Sequence, residues 1–354
     1  MRKAIVWIPL FLFILIVVSV GIHLGQNLLS TPNTAVATSA PVSKTQYGGQ
    51  GMAFGIQETQ DGKYWRTYQV PERASFRGFV YLLNQGPTEE YLLSCLVDYR
   101  QVSCSFDEQQ QLLYRMSLGN SEERTLPFET PALSAGLHDL AVLAFARPDV
   151  HDLSPGYRLS TDLAYLFAPR AVLLVGDEPW QAPTTEHVVT GTQPDTTISP
   201  LEGLVVNRDE QDLEIRAWMT QTAKSGEAIE YFIHLGNDTG PSQAFAVTAF
   251  LDYEQVPLNG AEQWVAYVSL PTGTRATLPG RFVAPQETGV HEFVVGMVYD
   301  PYQMLEEPPL AAERRLTRFE DVTCLLYTSD AADDLLCVDL GGRRIIKKKQ
   351  TQNT

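Results

Sequence analysis

The chain has few of the residues and motifs on which catalysis depends. Its 354 residues include only four cysteines and six histidines. It contains no Gly-x-Ser-x-Gly nucleophile turn, no glycine-rich phosphate loop and no Cys-His cluster. After the N-terminal segment, no stretch sustains the 3.6-residue apolar period of an amphipathic helix. We therefore expect no catalytic residue, no metal ligand and no cofactor, and a fold without helical bundles.

Basic residues are also scarce. The formal net charge is −16, with 26 Lys and Arg against 42 Asp and Glu. Five of the 26 basic residues lie in the run 343–349 near the C-terminus, so the rest of the chain is more acidic still. An acidic surface repels phosphate backbones, and nucleic acid is therefore not an expected partner.

What the chain does contain is one sequence unit present twice, about 153 residues apart. The segment 98–102, Asp-Tyr-Arg-Gln-Val, matches 252–256, Asp-Tyr-Glu-Gln-Val. Further on, 136–139, Gly-Leu-His-Asp, matches 289–292, Gly-Val-His-Glu. Matches in unbroken order at a nearly constant offset predict two copies of one domain.

Within each copy the pattern predicts β-structure. Leu112, Tyr114, Met116 and Leu118 alternate with other residues, as on the inner face of a half-buried strand. Short apolar runs bounded by Gly, Pro and Asp supply candidate central strands. About seven such strands per copy predict an all-β fold of two tandem antiparallel β-sandwiches.

The N-terminus predicts a membrane anchor. Arg2 and Lys3 precede an uncharged run, which is long enough to span the hydrocarbon core as one helix. The basic residues then stay in the cytoplasm and the rest of the chain faces outward, as a single-pass protein of the cell membrane. A cleaved signal peptide is the alternative, with Ala35-Val36-Ala37 as its small-x-small site.

The C-terminal tail resembles a translated sequencing adaptor. The strings CLLYTSDAAD from residue 324 and VDLGGRRIIKKK further on carry the resemblance. It implies that residues 324–354 are non-native and that the natural chain continues differently. The sequence is then divided into a cytoplasmic stub 1–3, an anchor 4–22, a flexible stalk 23–50, repeat 1 at 51–178, a linker 179–200, repeat 2 at 201–323 and the tail 324–354.

Three features of the repeats carry a further resemblance. They are a tryptophan near the first strands (Trp65 and Trp218), a strand with an aromatic residue before a terminal Asn (Phe79 with Asn84, Phe232 with Asn237), and a late Gly-x-His strand. In this order they resemble the immunoglobulin-like and fibronectin type III-like modules of bacterial membrane-anchored surface proteins. The resemblance implies a binding, spacing or scaffolding module outside the cell.

Two histidines recur at one repeat position, each followed by an acid. His138 and His291 suggest a general acid/base pair, but packing at the start of a strand is the interpretation we favour. His291-Glu292 begins like a zinc-binding His-Glu-x-x-His, but Val295 occupies the second ligand position. Asp98 and Asp252 are expected to cap turns.

Cys95 and Cys104 are predicted to form a disulfide. If the turn is Tyr99-Arg100, the two cysteines lie opposite each other in a hairpin, at a Cα distance of about 4.5 Å. An outward location supplies the oxidising compartment. Two buried free thiols are the alternative.

The sequence therefore predicts a non-enzymatic binding or scaffolding protein of the cell envelope. Its expected partner is an extracellular protein or polysaccharide, and it meets the membrane through residues 4–22. The alternative is an accessory or inhibitor module of an extracytoplasmic hydrolase whose catalytic part lies beyond residue 323.

Overall fold

The computed structural model describes residues 52–60, 67–148, 166–185, 188–194, 201–210, 220–260, 262–304 and 319–329. Within these ranges every regular element is a β-strand, so the predicted all-β class is confirmed. The anchor at 4–22, the stalk at 23–50, Trp65 and Trp218 lie outside the described residues. In the described part, no helix is long and apolar enough to cross a membrane.

The strands follow the two sequence repeats. Those of the first repeat are β1 Met52–Gln57, β2 Thr67–Val70, β3 Arg77–Asn84, β4 Glu89–Val97, β5 Arg100–Val102, β6 Cys104–Phe106, β7 Gln109–Gln111, β8 Leu113–Leu118, β9 Glu123–Glu129, β10 Gly136–Ala146, β11 Leu166–Phe167 and β12 Arg170–Val175. Next come β13 Val189–Thr190, β14 Glu202–Asn207, β15 Thr220–Lys224, β16 Ala228–Asn237, β17 Gln243–Leu251, β18 Glu254–Val256, β19 Ala266–Leu270, β20 Thr274–Val283, β21 Gly289–Tyr299 and β22 Phe319–Ser329.

Each repeat folds into two sheets. In the first repeat the strand orders are β1-β3-β9-β6-β7 and β2-β12-β10-β4-β5, with β8 paired to β4 and β11 to β10. In the second they are β14-β16-β20 and β13-β19-β17-β21-β22-β15, with β18 paired to β17. In each larger sheet, one edge strand pairs in parallel with its neighbour: β2 with β12 in the first repeat, and β15 with β22 in the second. The first repeat thus has the two-sheet strand order of an immunoglobulin-type sandwich.

Each repeat has its own apolar core between its sheets. Val80 and Leu82 of β3 pack with Leu93 of β4 and Leu140 of β10. In the second repeat the matching core includes Tyr231, which is fully buried. Burial of this apolar surface is the main favourable term that holds each pair of sheets together.

The central strands β10 and β21 are buried on both faces. Along β10, Leu140, Val142 and Ala144 enter the core of the first repeat, whereas Leu143 and Phe145 point the other way. The outward residues pack against the second repeat, which contributes residues to the same apolar clusters. This explains why these strands read as continuous apolar runs instead of alternating ones.

The described residues of the predicted linker are hydrogen bonded to strands of the sheets. Strand β13 pairs in parallel with β19, and Gly191 N–H donates to the Ser269 carbonyl at 2.8 Å. Earlier in the linker, the Gln181 carbonyl accepts from Leu137 N–H at 3.0 Å. The described linker residues are therefore hydrogen bonded to both repeats, whereas the sequence predicted a free connection.

The last strand crosses the predicted boundary at Thr323. Strand β22 runs to Ser329, antiparallel to β21 and parallel to β15. Leu326 is fully buried in the second core, although the sequence placed 324–354 outside the fold. The physical reason is that residues 324–329 have the apolar pattern of a strand and fill the position that β12 fills in the first repeat. The adaptor origin of the tail stays a prediction.

Candidate functional site

The repeated turn motif lies at the interface between the two repeats. Asp98 and Tyr99 form the two-residue turn between β4 and β5, with φ angles of 52° and 64°. Asp252 and Tyr253 repeat it between β17 and β18, with φ angles of 50° and 70°. Two successive left-handed residues are the signature of a type I′ hairpin turn, whose twist suits the flanking strands.

Two glutamines that follow these turns exchange hydrogen bonds reciprocally. Gln101 N–H donates to Gln255 Oε1 at 2.8 Å, and Gln255 N–H donates to Gln101 Oε1 at 2.6 Å. The amide of Gln101 donates to the Tyr253 carbonyl at 2.9 Å, and that of Gln255 to the Tyr99 carbonyl at 2.8 Å. Equivalent residues therefore contact each other, as in the isologous interface of a two-fold dimer. We call this contact the inter-repeat interface.

Aromatic contacts reinforce the inter-repeat interface. The guanidinium of Arg100 lies 4.3 Å from the centre of the Trp264 ring, which is a cation–π contact between the repeats. Phe145 packs edge-on against Phe250 at a centroid distance of 5.9 Å. Such pairs add to the stabilisation that burial of their area already provides.

A buried ion pair completes one side of this interface. Asp139 and Arg170 have side chains only 2% exposed, and the guanidinium donates to both carboxylate oxygens at 2.7 Å. Arg170 also donates across the interface to the carbonyls of Tyr299 at 2.9 Å and Asp300 at 3.0 Å. Tyr302 N–H donates back to Asp139 at 2.6 Å. The charges are thus satisfied by partners from both repeats.

Tyr99 donates its hydroxyl to the same carboxylate. Burial and the nearby Asp139 charge raise the pKa of Tyr99 well above its ordinary value. Burial, the largest single effect, opposes the charged form of Arg170, but its interactions with Asp139, Tyr99 and Asp300 together outweigh burial and raise the pKa of Arg170. The phenol therefore stays protonated and the guanidinium stays charged at physiological pH.

The second repeat has a different set at the matching positions. Tyr253 donates its hydroxyl to Glu292 at 2.8 Å, as Tyr99 does to Asp139. By strand register, Arg170 faces Ala141 and Thr323 faces Val294, so the chain has Thr323 at the position matching Arg170. The inter-repeat interface is therefore symmetric in its turns and asymmetric in its charges.

The two recurrent histidines make the same contacts. His138 Nδ1 lies 2.6 Å from Asp98 Oδ2, and its Nε2 lies 3.0 Å from the Ser134 carbonyl. His291 contacts Asp252 at 2.7 Å and the Glu287 carbonyl at 2.9 Å. Each pair joins the turn to the start of the late strand, which is the packing role favoured from the sequence.

The partners of His138 determine its charge. A carboxylate and a carbonyl accept hydrogen bonds and donate none, so the ring makes both hydrogen bonds together only when both of its nitrogens carry a proton. The hydrogen bond to Asp98 raises the pKa of His138, against the opposing effect of burial. In its protonated form the ring links Asp98 to the Ser134 carbonyl.

Cys95 and Cys104 are joined by a disulfide, with Cα atoms 6.1 Å apart. The predicted hairpin pairing is wrong, because the turn is Asp98-Tyr99 and Cys95 lies opposite Val102. Cys104 begins β6, which belongs to the other sheet. The bridge therefore links the two sheets of the first sandwich.

The metal ligands considered from the sequence are not brought together in the described part of the chain. No group of three or more His, Cys, Asp or Glu side chains within the described ranges is placed to hold a metal ion. Val295, at the second ligand position of the zinc-like motif, is fully buried in the second core. Sequence reasoning missed the inter-repeat interface, although the repeated glutamine of the turn motif was a signal for it.

Comparison with known proteins gives no assignment. No family model and no curated protein matches the chain. Among solved structures, the crystal structure of a CARDB domain from Pyrococcus furiosus, in complex with di-metal ions, is 11% identical, with a TM-score of 0.22, over 36% of this chain and 90% of that one. The solution structure of the same domain is 14% identical, with a TM-score of 0.23, over 36% of this chain and 94% of that one. Red sea bream transglutaminase is 12% identical, with a TM-score of 0.21, over 78% of this chain and 31% of that one. These scores are too low to transfer any property.

Proposed function

We propose that the protein is a non-enzymatic binding or scaffolding protein of the cell envelope, anchored through residues 4–22 with its immunoglobulin-like repeats outside the cytoplasm. The observation that carries the proposal is the reciprocal inter-repeat interface. Its exchanged glutamine bonds and the buried Asp139–Arg170 pair connect the two sandwiches. A protein that presents two modules in a fixed relation is suited to hold a partner or to space other domains.

The two recurrent histidines, which are the side chains best suited to acid/base chemistry, make structural contacts in this arrangement. His138 and His291 each link a turn to a strand, and each contacts an acid and a backbone carbonyl. A general acid or base must instead reach a proton of the substrate. This favours a binding role.

The expected partner is an extracellular protein or polysaccharide. The acidic balance of the chain disfavours phosphate-rich partners. Val283 and Met304 are large apolar side chains that are more than half exposed, so they offer contact points on the second repeat.

The experiment uses the full chain produced in a bacterial host. A photo-crosslinking amino acid replaces Val283 or Met304, and a third variant carries it at Arg77, an exposed position on the first repeat. We expect protease added outside intact cells to reach the repeats, and irradiation to give one discrete adduct from at least one site. Protection from external protease would refute the outward location. Absence of any adduct at all three sites would refute the binding role.

A further inference from the structure

An open pocket lies beside the inter-repeat interface and is lined by both repeats. Its volume is about 380 Å³. Leu92, Leu113 and Arg115 line it from the first repeat, and Tyr253, Thr288 and Val290 from the second. This volume is in the range of pockets that bind small ligands or a single side chain.

The matching place in the other half of the interface can be identified from strand register. Arg115 lies opposite Leu92 in the β8–β4 pair, and Tyr267 lies opposite Ala246 in the β19–β17 pair. Tyr253 of the second turn likewise matches Tyr99 of the first. The pocket and the cluster around Tyr99 are therefore equivalent sites related by the repeat.

The equivalent site around Tyr99 is filled with aromatic side chains. Tyr302 packs edge-on against Tyr99 at a centroid distance of 5.6 Å, and its hydroxyl lies 3.0 Å from that of Tyr267. Trp180 packs against the same cluster, and its indole N–H donates to the Gly176 carbonyl at 3.1 Å. The chain thus shows which kind of group this geometry accommodates.

The open site keeps the buried tyrosine and the apolar walls of the filled site, and it has Arg115 where the filled site has Tyr267. Tyr253 is 4% exposed and corresponds to the ring on which Tyr302 packs. Leu92, Leu113 and Val290 supply apolar walls. Arg115 replaces Tyr267, and a guanidinium beside an aromatic face gives a cation–π contact while it keeps its ion pair with Glu90 at 3.0 Å.

We propose that this pocket binds one aromatic side chain of a protein partner, as the equivalent site binds Tyr302 of this chain. Aromatic side chains that fill pockets are the usual anchors of protein interfaces. The proposal deepens the proposed binding function and rests on it. It commits to a protein partner with a tyrosine-like or tryptophan-like anchor.

The test titrates the purified full chain with N-acetyl-tyrosinamide and N-acetyl-tryptophanamide, observed by ligand NMR. N-acetyl-leucinamide is the aliphatic control and N-acetylglucosamine the saccharide control. We expect saturable binding of the aromatic amides in roughly the millimolar range, where ligands of this size fall. Saccharide binding without aromatic binding would overturn the proposal in favour of a carbohydrate site.

Variants locate the binding. Arg115→Ala removes the cation–π contact, and Thr288→Trp places a ring at the exposed rim; each is expected to weaken aromatic binding by about threefold or more. Ala135→Trp, at the position equivalent to Thr288, is the matched control and should leave binding unchanged. The thermal midpoint of each variant checks that it is folded. Unchanged binding in both pocket variants, or equal binding of the aliphatic amide, would overturn the proposal. Because these probes are small, their failure leaves the photo-crosslinking result for the proposed function intact.

Discussion

The Asp139–Arg170 pair is where a single substitution should cost the most stability. Asp139→Ala removes four accepted hydrogen bonds, from two guanidinium nitrogens, the Tyr99 hydroxyl and Tyr302 N–H. It also leaves the Arg170 charge buried without its carboxylate. Breaking a buried pair in this way costs about 3 to 5 kcal/mol. Domains are stable by only about 5 to 15 kcal/mol, so the loss is a large fraction of the total.

The double variant Asp139→Leu with Arg170→Met separates the two causes. It removes both charges together, so the uncompensated charge disappears and only the hydrogen bonds of Tyr99, Tyr299, Asp300 and Tyr302 are lost. At about 1 kcal/mol each, these losses approach the cost of the single variant. They are offset because replacement of a buried ion pair by apolar side chains of similar volume is often neutral or stabilising, by about 1 to 4 kcal/mol. We therefore expect the double variant to be more stable than Asp139→Ala, although less stable than the parent chain.

The assay is urea unfolding of the full chain, followed by tryptophan fluorescence and circular dichroism together. Glu129→Ala is the control, because its ion pair with Arg77 at 3.1 Å is exposed, with side-chain exposures of 79% for Arg77 and 37% for Glu129. That loss should be under about 1 kcal/mol. A cost for Asp139→Ala no larger than the control would refute the reasoning, as would a double variant less stable than the single one.

Three other predictions follow from the described contacts. The raised pKa of His138 means that its stabilising effect is complete below the unfolded value of about 6.5 and is lost as pH rises through the higher folded value; His138→Gln should flatten this dependence in urea unfolding at graded pH, and an unchanged profile would contradict it. Cys104→Ala should cost about 2 to 3 kcal/mol by the chain-entropy model, and non-reduced peptide mapping should show the bridge in the parent chain; quantitative alkylation without reductant would refute the bridge. Truncation after Thr323 should lower the thermal midpoint by several degrees because Leu326 is lost from the core, whereas truncation after Ser329 should not; equal midpoints would show that the end of β22 adds nothing.

The repeat and the all-β class could be predicted from the sequence, because matched segments reveal the repeat and the alternation of apolar residues reveals the strands. The prediction placed the first turn one residue too late, at Tyr99-Arg100, because that choice put the cysteines opposite each other. The structure uses Asp98-Tyr99, where both residues have positive φ, and Asp tolerates that conformation well. The change of sheet between Val102 and Cys104 leaves no mark in the alternation of apolar residues, so the path of the disulfide could not be predicted from it.

The inter-repeat interface could not be predicted from the alternation of apolar residues either. The apolar run of β10 indicates burial on both faces, but periodicity alone does not tell which element covers the second face. The structure shows that the cover is the other repeat, through Leu143 and Phe145. Acidic side chains are rarely buried, yet Asp139 and Glu292, the acids that follow the two histidines, are both almost fully buried.

Self-complementarity explains why the turn motif is the most similar part of the two repeats. In an isologous contact each residue meets its own equivalent, so both copies need the same group at that position. Gln101 Oε1 accepts from Gln255 N–H and Gln255 Oε1 accepts from Gln101 N–H, so replacement of either side chain leaves the backbone N–H of the other without that acceptor. Positions that contact non-equivalent residues do not need the same residue in both repeats. Arg115 and Tyr267 are such a pair, and there the two halves of the interface differ.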